Sequence, residues 1–215
     1  MRLNATEAGV RCVRCAASAV HLQLSWAIRE TLPDLSTRDV CELSARGPLV
    51  DYLQRNARTL TVSEYFEDVS PGALRGGVRC EDVQRLTYAD SSFDMVSHTE
   101  VLEHVPDDAL ALGELLRVLR PGGVMLFTVP LHSGECTLER ARLVDGGIEH
   151  LREPVYHNDP QRRESGILAF RDYGRDILDR LGSAGFVDAK MLPSRPDLPW
   201  LEPREIVHAR KPFNA

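Results

Sequence analysis

Residues 80–130 read CEDVQRLTYADSSFDMVSHTEVLEHVPDDALALGELLRVLRPGGVMLFTVP, and this stretch decides the fold. It predicts a short strand, an acidic loop, a strand over 93–98, a helix, and a strand over 123–129. Pro106 and the aspartates after it are typical of a helix start, and we expect Pro121-Gly122-Gly123 to end that helix. The last strand is almost entirely apolar, as in a parallel sheet that is buried on both faces. The stretch therefore predicts an α/β domain with a right-handed crossover.

The amino-acid sequence of the same stretch also resembles the sequences of a known family. The matching segments are Asp82, Leu86-Thr87-Tyr88, Ser92-Phe93-Asp94, Glu100 to Asp107, and Arg117 to Gly123. In this order they are similar to the cofactor domain of class I S-adenosylmethionine-dependent methyltransferases of the small-molecule type. The resemblance implies S-adenosylmethionine as cofactor. It also implies a Rossmann-like, seven-stranded sheet with helices on both faces and a C-terminal antiparallel hairpin, which we place at 187–192 and 204–211.

Length and composition set broad limits. The chain has 215 residues, of which 43% are hydrophobic and 27% charged, and a formal net charge of −6. These values indicate one ordinary core and argue against nucleic acid as a partner. No apolar run is long enough to cross a membrane, and we expect a cytoplasmic location. The five cysteines fit reduced thiols better than a disulfide framework.

We divide the chain into residues 1–36, an N-terminal segment with a helix over 16–31, and residues 37–215, the methyltransferase domain. The first part contains the pair Cys12 and Cys15, whose spacing could hold one side of a zinc ion. Only His21 offers a third ligand, and it is poorly spaced. The pair looks like the remnant of a zinc ribbon, with a vestigial segment as the alternative, and we assign no metal.

The cofactor loop should follow a first strand over 38–43. Members of the family usually carry an acid and then three glycines at alternating positions. Here the acid is Glu42, and the glycine positions hold Ser44, Arg46 and Pro48, with a displaced Gly47. Glycines at such a turn allow backbone conformations that are closed to other residues. We assign Glu42, Ser44 and Gly47 to cofactor binding, although the altered loop puts the affinity in doubt.

Further cofactor contacts are expected at strand ends, where open α/β sheets bind ligands. Glu64 ends the strand 59–65 and is placed to accept the ribose hydroxyl hydrogens, as similar acids do in nicotinamide enzymes. Its alternative is an exposed strand-end acid. The resemblance implies that Asp82 accepts a hydrogen bond from the adenine amino group, that Val83 donates its backbone N–H to the ring, and that His98 and Thr99 flank the methionine moiety.

Residues 131–170 form a long insertion that is rich in histidine, arginine and glutamate. Loops of this length in compact domains are usually functional lids or disordered segments, so we expect a lid-like region that recognises the acceptor. The alternative is an ordered surface segment that has no role in catalysis. Histidine titrates near neutrality, and we name His150, His157 and His104 as candidate bases, with His98 as a further candidate. The alternative for His104 is a half-buried structural histidine.

The function that we predict is methyl transfer to a small polar acceptor through a hydroxyl or amine. A sugar or a natural-product intermediate would fit. A regulatory protein that binds the nucleoside without transferring a methyl group is the alternative, because the glycine loop is altered. The sequence is less consistent with a nicotinamide oxidoreductase, since the chain lacks the dinucleotide-binding motif G-x-G-x-x-G. The oligomeric state is open.

Overall fold

A central sheet organises the chain in the computed structural model, which describes residues 11–157, 165–194 and 205–214. The strands of this part are β1 (Asp39–Glu42), β2 (Thr59–Glu64), β3 (Leu74–Arg75), β4 (Val78–Cys80), β5 (Phe93–Thr99), β6 (Leu119–Thr128), β7 (Leu138–Glu139), β8 (Ala141–Val144), β9 (Gly147–His150), β10 (Tyr156–His157), β11 (Ile167–Leu168), β12 (Arg171–Asp172), β13 (Val187–Leu192) and β14 (Ile206–Arg210).

Eight of these strands form one sheet in the order β13-β14-β6-β5-β1-β2-β4-β3. The pairs from β6 through β5, β1 and β2 to β4 are parallel, and β14 runs antiparallel to both β6 and β13. The predicted sheet and its C-terminal hairpin are therefore confirmed. The eighth strand, β3, is a two-residue addition that pairs antiparallel with β4 at the edge.

Helices cover both faces of the sheet, as predicted. They are α1 (Ala19–Thr31), α2 (Pro48–Asn56), α3 (Asp108–Val118) and α4 (Ile177–Ser183). Leu24 of α1 and Leu53 of α2 are fully buried in one core with Leu126 of β6. Leu115 of α3 and Leu181 of α4 are fully buried in a second core. Helix α1, which we expected in a separate N-terminal segment, thus packs into the core of the sheet.

The segment between α3 and β6 differs from the prediction. The start of α3 is as expected, because the Asp107 side chain accepts a hydrogen bond from the Leu110 N–H at 3.1 Å. However, the helix ends at Val118 and β6 begins at once with Leu119, so Pro-Gly-Gly lies inside the strand and does not stop the helix. Gly122 adopts a positive φ of 77°, and the pairing of β5 with β6 shifts register in this part of the strand.

The insertion is built from short antiparallel pairs. β8 pairs with β9, β7 with β12, and β10 with β11. Ala141, Leu168 and Phe170 form a small core of their own. Residues 158–164 of the predicted lid lie outside the described part. Arg171 and Asp172 form β12, and Asp176 precedes α4.

The N-terminal cysteine pair forms a tight turn in which the Ala16 N–H donates to the Cys12 carbonyl at 2.8 Å. His21, the expected third zinc ligand, lies 2.6 Å from the Ser18 hydroxyl through Nδ1 and takes part in capping α1. The zinc-ribbon interpretation gains no third ligand from His21. Among the described helices, none is long and apolar enough to span a membrane.

Substituting Gly122 tests the irregular strand. Gly122→Ala should destabilise the fold, since the left-handed region costs a side chain about 1–2 kcal/mol and its Cβ would meet the Phe213 ring. Gly113→Ala is the control, because Gly113 lies in α3 with open space around it and alanine there should stabilise by about 0.5–1 kcal/mol. Urea unfolding measures both changes. Equal changes in the free energy of unfolding for the two variants would contradict the left-handed backbone at Gly122.

Candidate functional site

The cofactor candidates meet at one edge of the sheet. The parallel strands β1, β2, β4 and β5 end there, so Glu42, Glu64, Asp82 and Thr99 follow one another along the carboxyl edge. Open α/β sheets bind ligands outside this edge. Glu42, Glu64 and Asp82 are therefore far apart in the sequence but lie along the same edge of the sheet.

The altered glycine loop still forms a tight turn. Gly47 has a φ of 116° and immediately precedes Pro48, the first residue of α2. The displaced glycine thus occupies the position that needs one. Arg46 is exposed. The Ala45 N–H donates to Glu64 Oε2 at 3.4 Å, and the ribose candidate therefore faces this loop.

Glu42 lies beneath the loop and is only 1% exposed. The Ser97 hydroxyl of the neighbouring strand donates a hydrogen bond to its carboxylate. Burial raises the pKa of Glu42 to about 8, and the nearby charge of Glu64 acts in the same direction. Glu42 therefore supports the end of β1 and offers no surface to a ligand in this structure.

The adenine candidates follow β4. The Asp82 carboxylate accepts a hydrogen bond from the Gln84 N–H at 2.9 Å, which holds it in a turn just after the strand. Val83 is 8% exposed and packs into the core beside α3. Its side chain thus anchors the turn that carries Asp82.

The two residues at the end of β5 differ in accessibility. The His98 ring is fully buried and stacks on Phe127, with 4.6 Å between the ring centroids. Neither ring nitrogen has a hydrogen-bond partner among the described residues, and burial lowers the pKa of His98 to about 3. This ring is neutral and belongs to the core, which does not suit a base. Thr99 is half-buried at the edge.

A cluster of two histidines and a glutamate lies just beyond β5. Glu103 and His104 belong to the short 3-10 helix Leu102–His104, and His157 comes from β10 in the insertion. His157 Nδ1 is 3.3 Å from His104 Nε2, and Glu103 Oε1 is 3.5 Å from that same atom. The Glu103 carboxyl is buried, and this burial together with repulsion from Glu100 raises its pKa well above the usual range.

The protons of the histidine pair can be assigned. His104 Nδ1 lies 2.8 Å from the Leu168 carbonyl oxygen, which can only accept. His104 Nδ1 must therefore carry a proton, and in the neutral ring Nε2 accepts the hydrogen bond from His157 Nδ1. In the neutral His157 ring, Nε2 is then the nitrogen that carries no proton.

The structure brings together two of the three candidate bases. His150 lies exposed on the β8–β9 hairpin and is not part of the cluster of described residues. Glu103 is the group that sequence reasoning missed. Its position directly before His104 in Glu-His-Val was the available signal, but nothing in the sequence indicated that its side chain points inward.

Arg171 fixes this cluster in place. Its guanidinium is 3% exposed and donates to the carbonyl oxygens of Leu102, Val105 and Pro106 at 3.1, 2.6 and 2.8 Å. It also contacts Glu139 of β7 at 3.2 Å. The insertion is thereby bound to the 3-10 helix that carries Glu103 and His104.

A cavity of about 370 Å³ lies at the carboxyl end of β6. Its lining residues are Thr128, Val129, Leu131, Arg175, Pro193, Ser194 and Glu205. The Thr128 carbonyl accepts the Glu100 N–H at 3.0 Å, so the cavity adjoins the segment that leads to the cluster. Thr128 Oγ1 is buried without a hydrogen-bond partner in the described chain.

Comparison with known proteins finds similar sequences and similar folds. Residues 44–127 match the family model described as a methyltransferase domain. The chain is 28% identical over 177 residues to a probable S-adenosylmethionine-dependent methyltransferase of Mycolicibacterium smegmatis, which covers 77% of this chain and 68% of the relative. It is 31% identical over 115 residues to 2-methyl-6-phytyl-1,4-hydroquinone methyltransferase of Synechocystis, covering 50% of this chain and 36% of the relative.

Among solved structures, the chain resembles 1,6-didemethyltoxoflavin-N1-methyltransferase of Burkholderia thailandensis, with its bound S-adenosylhomocysteine. The TM-score is 0.55 and the identity 20%, over 89% of this chain and 78% of the other.

These matches support a class I S-adenosylmethionine-dependent methyltransferase, with the family model covering residues 44–127. The likeness to solved structures extends to the fold of the sheet and its helices. The chain spans about a third of the length of the Synechocystis relative and about two thirds of the Mycolicibacterium one.

The buried Glu42 predicts that the stability of the folded chain depends on pH. An unfolded glutamate titrates near about 4.3. Between that pH and the folded pKa of about 8, the folded chain keeps a proton that the unfolded chain has lost. The free energy of unfolding therefore falls as pH rises, by up to about 1.4 kcal/mol per pH unit, and this contribution is absent in Glu42→Gln.

Urea unfolding between about pH 5 and about pH 8 tests this expectation, and Glu42→Gln should gain stability relative to the parent across the window. Glu149→Gln is the control, because Arg142 lowers the pKa of the exposed Glu149 and its titration lies below the window. A constant difference between Glu42→Gln and the parent would contradict a protonated Glu42.

Proposed function

We propose that the chain transfers the methyl group of S-adenosylmethionine to a hydroxyl or amine of a small polar molecule. The observation that carries this proposal is the placement of two kinds of groups at one sheet edge. Glu64 and Asp82 end the neighbouring strands β2 and β4, and the Glu103–His104–His157 cluster follows β5. Glu64 and Asp82 can bind a nucleoside, and the cluster can accept a proton.

The residues at the edge fit the cofactor. Glu64 faces the loop that contains Ser44 and Gly47, where it can accept hydrogen bonds from both ribose hydroxyls. Asp82 is held in its turn and can accept from the adenine amino group, with the Val83 N–H beside it. Arg46 is exposed, and Pro48 opens α2, so neither loop substitution blocks this edge.

Thr99 is the proposed neighbour of the methionine moiety, because the His98 ring points into the core. When bound, S-adenosylmethionine supplies a methyl group on a positively charged sulfur. The protein mainly has to align the accepting atom and exclude water, which can contribute about 7–11 kcal/mol.

The cavity at the end of β6 supports a small, polar acceptor. Its volume of about 370 Å³ suits a small molecule, and Arg175, Ser194 and Glu205 place polar groups around it. Relatives carry names such as ubiquinone biosynthesis O-methyltransferase and 27-O-demethylrifamycin SV methyltransferase. Transfer to a hydroxyl oxygen is therefore a chemistry found among similar proteins.

The histidine pair is the proposed route for the acceptor proton. His157 Nε2 can take this proton, while His104 and the Leu168 carbonyl hold the His157 ring in one orientation. Histidine is suited to this role because it titrates near neutrality. We therefore assign proton handling to His157, with His104 as the residue that positions it.

The test begins with transfer of labelled methyl from S-adenosylmethionine to a panel of small hydroxyl and amine compounds. With the best acceptor, His157→Gln should lower kcat by about 10²–10⁴-fold without changing cofactor affinity. His150→Gln is the matched control from the same insertion and should keep the parental kcat.

Full activity of His157→Gln would exclude it as the base. Micromolar cofactor binding without transfer to any member of the panel would instead favour the regulatory alternative, a chain that binds the nucleoside and transfers nothing.

A further inference from the structure

The spacing of the Glu103–His104–His157 cluster matches that of ligands around one metal ion. His104 Nε2 lies 3.3 Å from His157 Nδ1 and 3.5 Å from Glu103 Oε1. The distance between His157 Nδ1 and Glu103 Oε1 is 3.8 Å. Zinc binds nitrogen and oxygen ligands at about 2.0–2.2 Å with tetrahedral angles, which places two ligand atoms about 3.4 Å apart. The three atoms therefore already surround a position that an ion of this size would fill.

The Glu103 carboxylate lacks a hydrogen-bond donor among the described residues. The Glu103 side chain is 1% exposed, and no described residue donates a hydrogen bond to either of its carboxylate oxygens. The Glu100 carboxylate lies near enough to repel it. A buried carboxylate is strongly unfavourable unless it is paired, hydrogen-bonded or bound to a metal.

The second contact of His104 follows the pattern of a metal ligand. Histidines that bind metals usually donate their other ring N–H to a carboxylate or a backbone carbonyl, which fixes the ring orientation. His104 Nδ1 donates to the Leu168 carbonyl in this way, and Nε2 is thereby directed at the centre of the cluster. Arg171 holds the carbonyls of Leu102 and Val105 on either side of Glu103 and His104.

We infer that Glu103, His104 and His157 bind a divalent transition-metal ion of the zinc type. Two imidazoles and one carboxylate favour zinc and its neighbours over magnesium or calcium, which prefer oxygen ligands. Three protein ligands leave a fourth position open, as in catalytic zinc sites.

The role of this ion, but not its binding, rests on the proposed function. An acceptor hydroxyl at the open position would lose its proton more readily, because a metal ion lowers the pKa of an oxygen that it binds. With the ion bound, His157 Nδ1 is a ligand and its Nε2 carries the ring proton, so the acceptor proton passes to solvent and not to His157. The acceptor oxygen forms the bond to the methyl carbon. The bond between that carbon and sulfur breaks, and its electron pair stays on sulfur.

The experiment measures zinc binding to the whole chain after treatment with a chelator. We expect about one tightly bound zinc ion per chain. Glu103→Gln and His157→Gln should weaken binding by more than about a hundredfold, since even outer-shell changes weaken metal sites by about 10–100-fold. Circular dichroism and thermal unfolding confirm that each variant is folded.

Two controls locate the ion. His150→Gln removes an exposed histidine from the insertion and should keep the zinc. Cys12→Ser with Cys15→Ser removes the N-terminal cysteine pair and should also keep the zinc. Three results would overturn the inference. The parent chain binds no zinc, the zinc is lost only in the cysteine variant, or zinc binding is unchanged in Glu103→Gln and His157→Gln.

The two proposals fail separately. Methyl transfer by a chain that binds no zinc would overturn the metal site and leave the function standing. Zinc bound through the cluster in a chain that methylates nothing on the panel would support the metal site and contradict the function.

Discussion

The buried guanidinium of Arg171 is the contact on which the candidate site depends. It lies at the end of the insertion and donates to three backbone carbonyls in the segment from Leu102 to Pro106. Each of these carbonyls, if left buried and unpaired, would cost about 1–3 kcal/mol. The segment that carries Glu103 and His104 is therefore bound to the insertion, which in turn brings His157 to the same place.

This arrangement divides the carboxyl edge into two parts with different physical requirements. The proposed cofactor side has acids at the ends of regular strands, and Glu64 and Asp82 are positioned by the sheet itself. The proposed acceptor side depends on side chains from the insertion, which is bound to the 3-10 helix through Arg171 and to α4 through Glu139 and Arg180. We infer that the first part is common to the fold, whereas the second determines what this chain methylates.

Much of the fold could be predicted because its signals are local. The apolar period of α3, the apolar run of β6 and the acids after the strands lie within short windows of sequence. The strand start at Leu119 was missed, because a proline and two glycines usually break a helix and here interrupt a strand. The face on which His98 lies was also missed, since its burial depends on packing against Phe127.

The cluster was only partly predictable. His104 and His157 were named singly, but they are 53 positions apart and their contact depends on the path of the insertion. Glu103 gave no sign of its burial, because a glutamate in a charged segment is usually exposed. Local sequence patterns thus identified candidate groups, whereas long-range pairing decided which of them meet.

A structure of the protein with bound S-adenosylhomocysteine would test this account most directly. We expect the adenine amino group within about 3 Å of Asp82, the ribose hydroxyls on Glu64, and the sulfur facing the cluster of Glu103, His104 and His157. A ligand bound away from the carboxyl edge, or a sulfur separated from the cluster by protein, would contradict it.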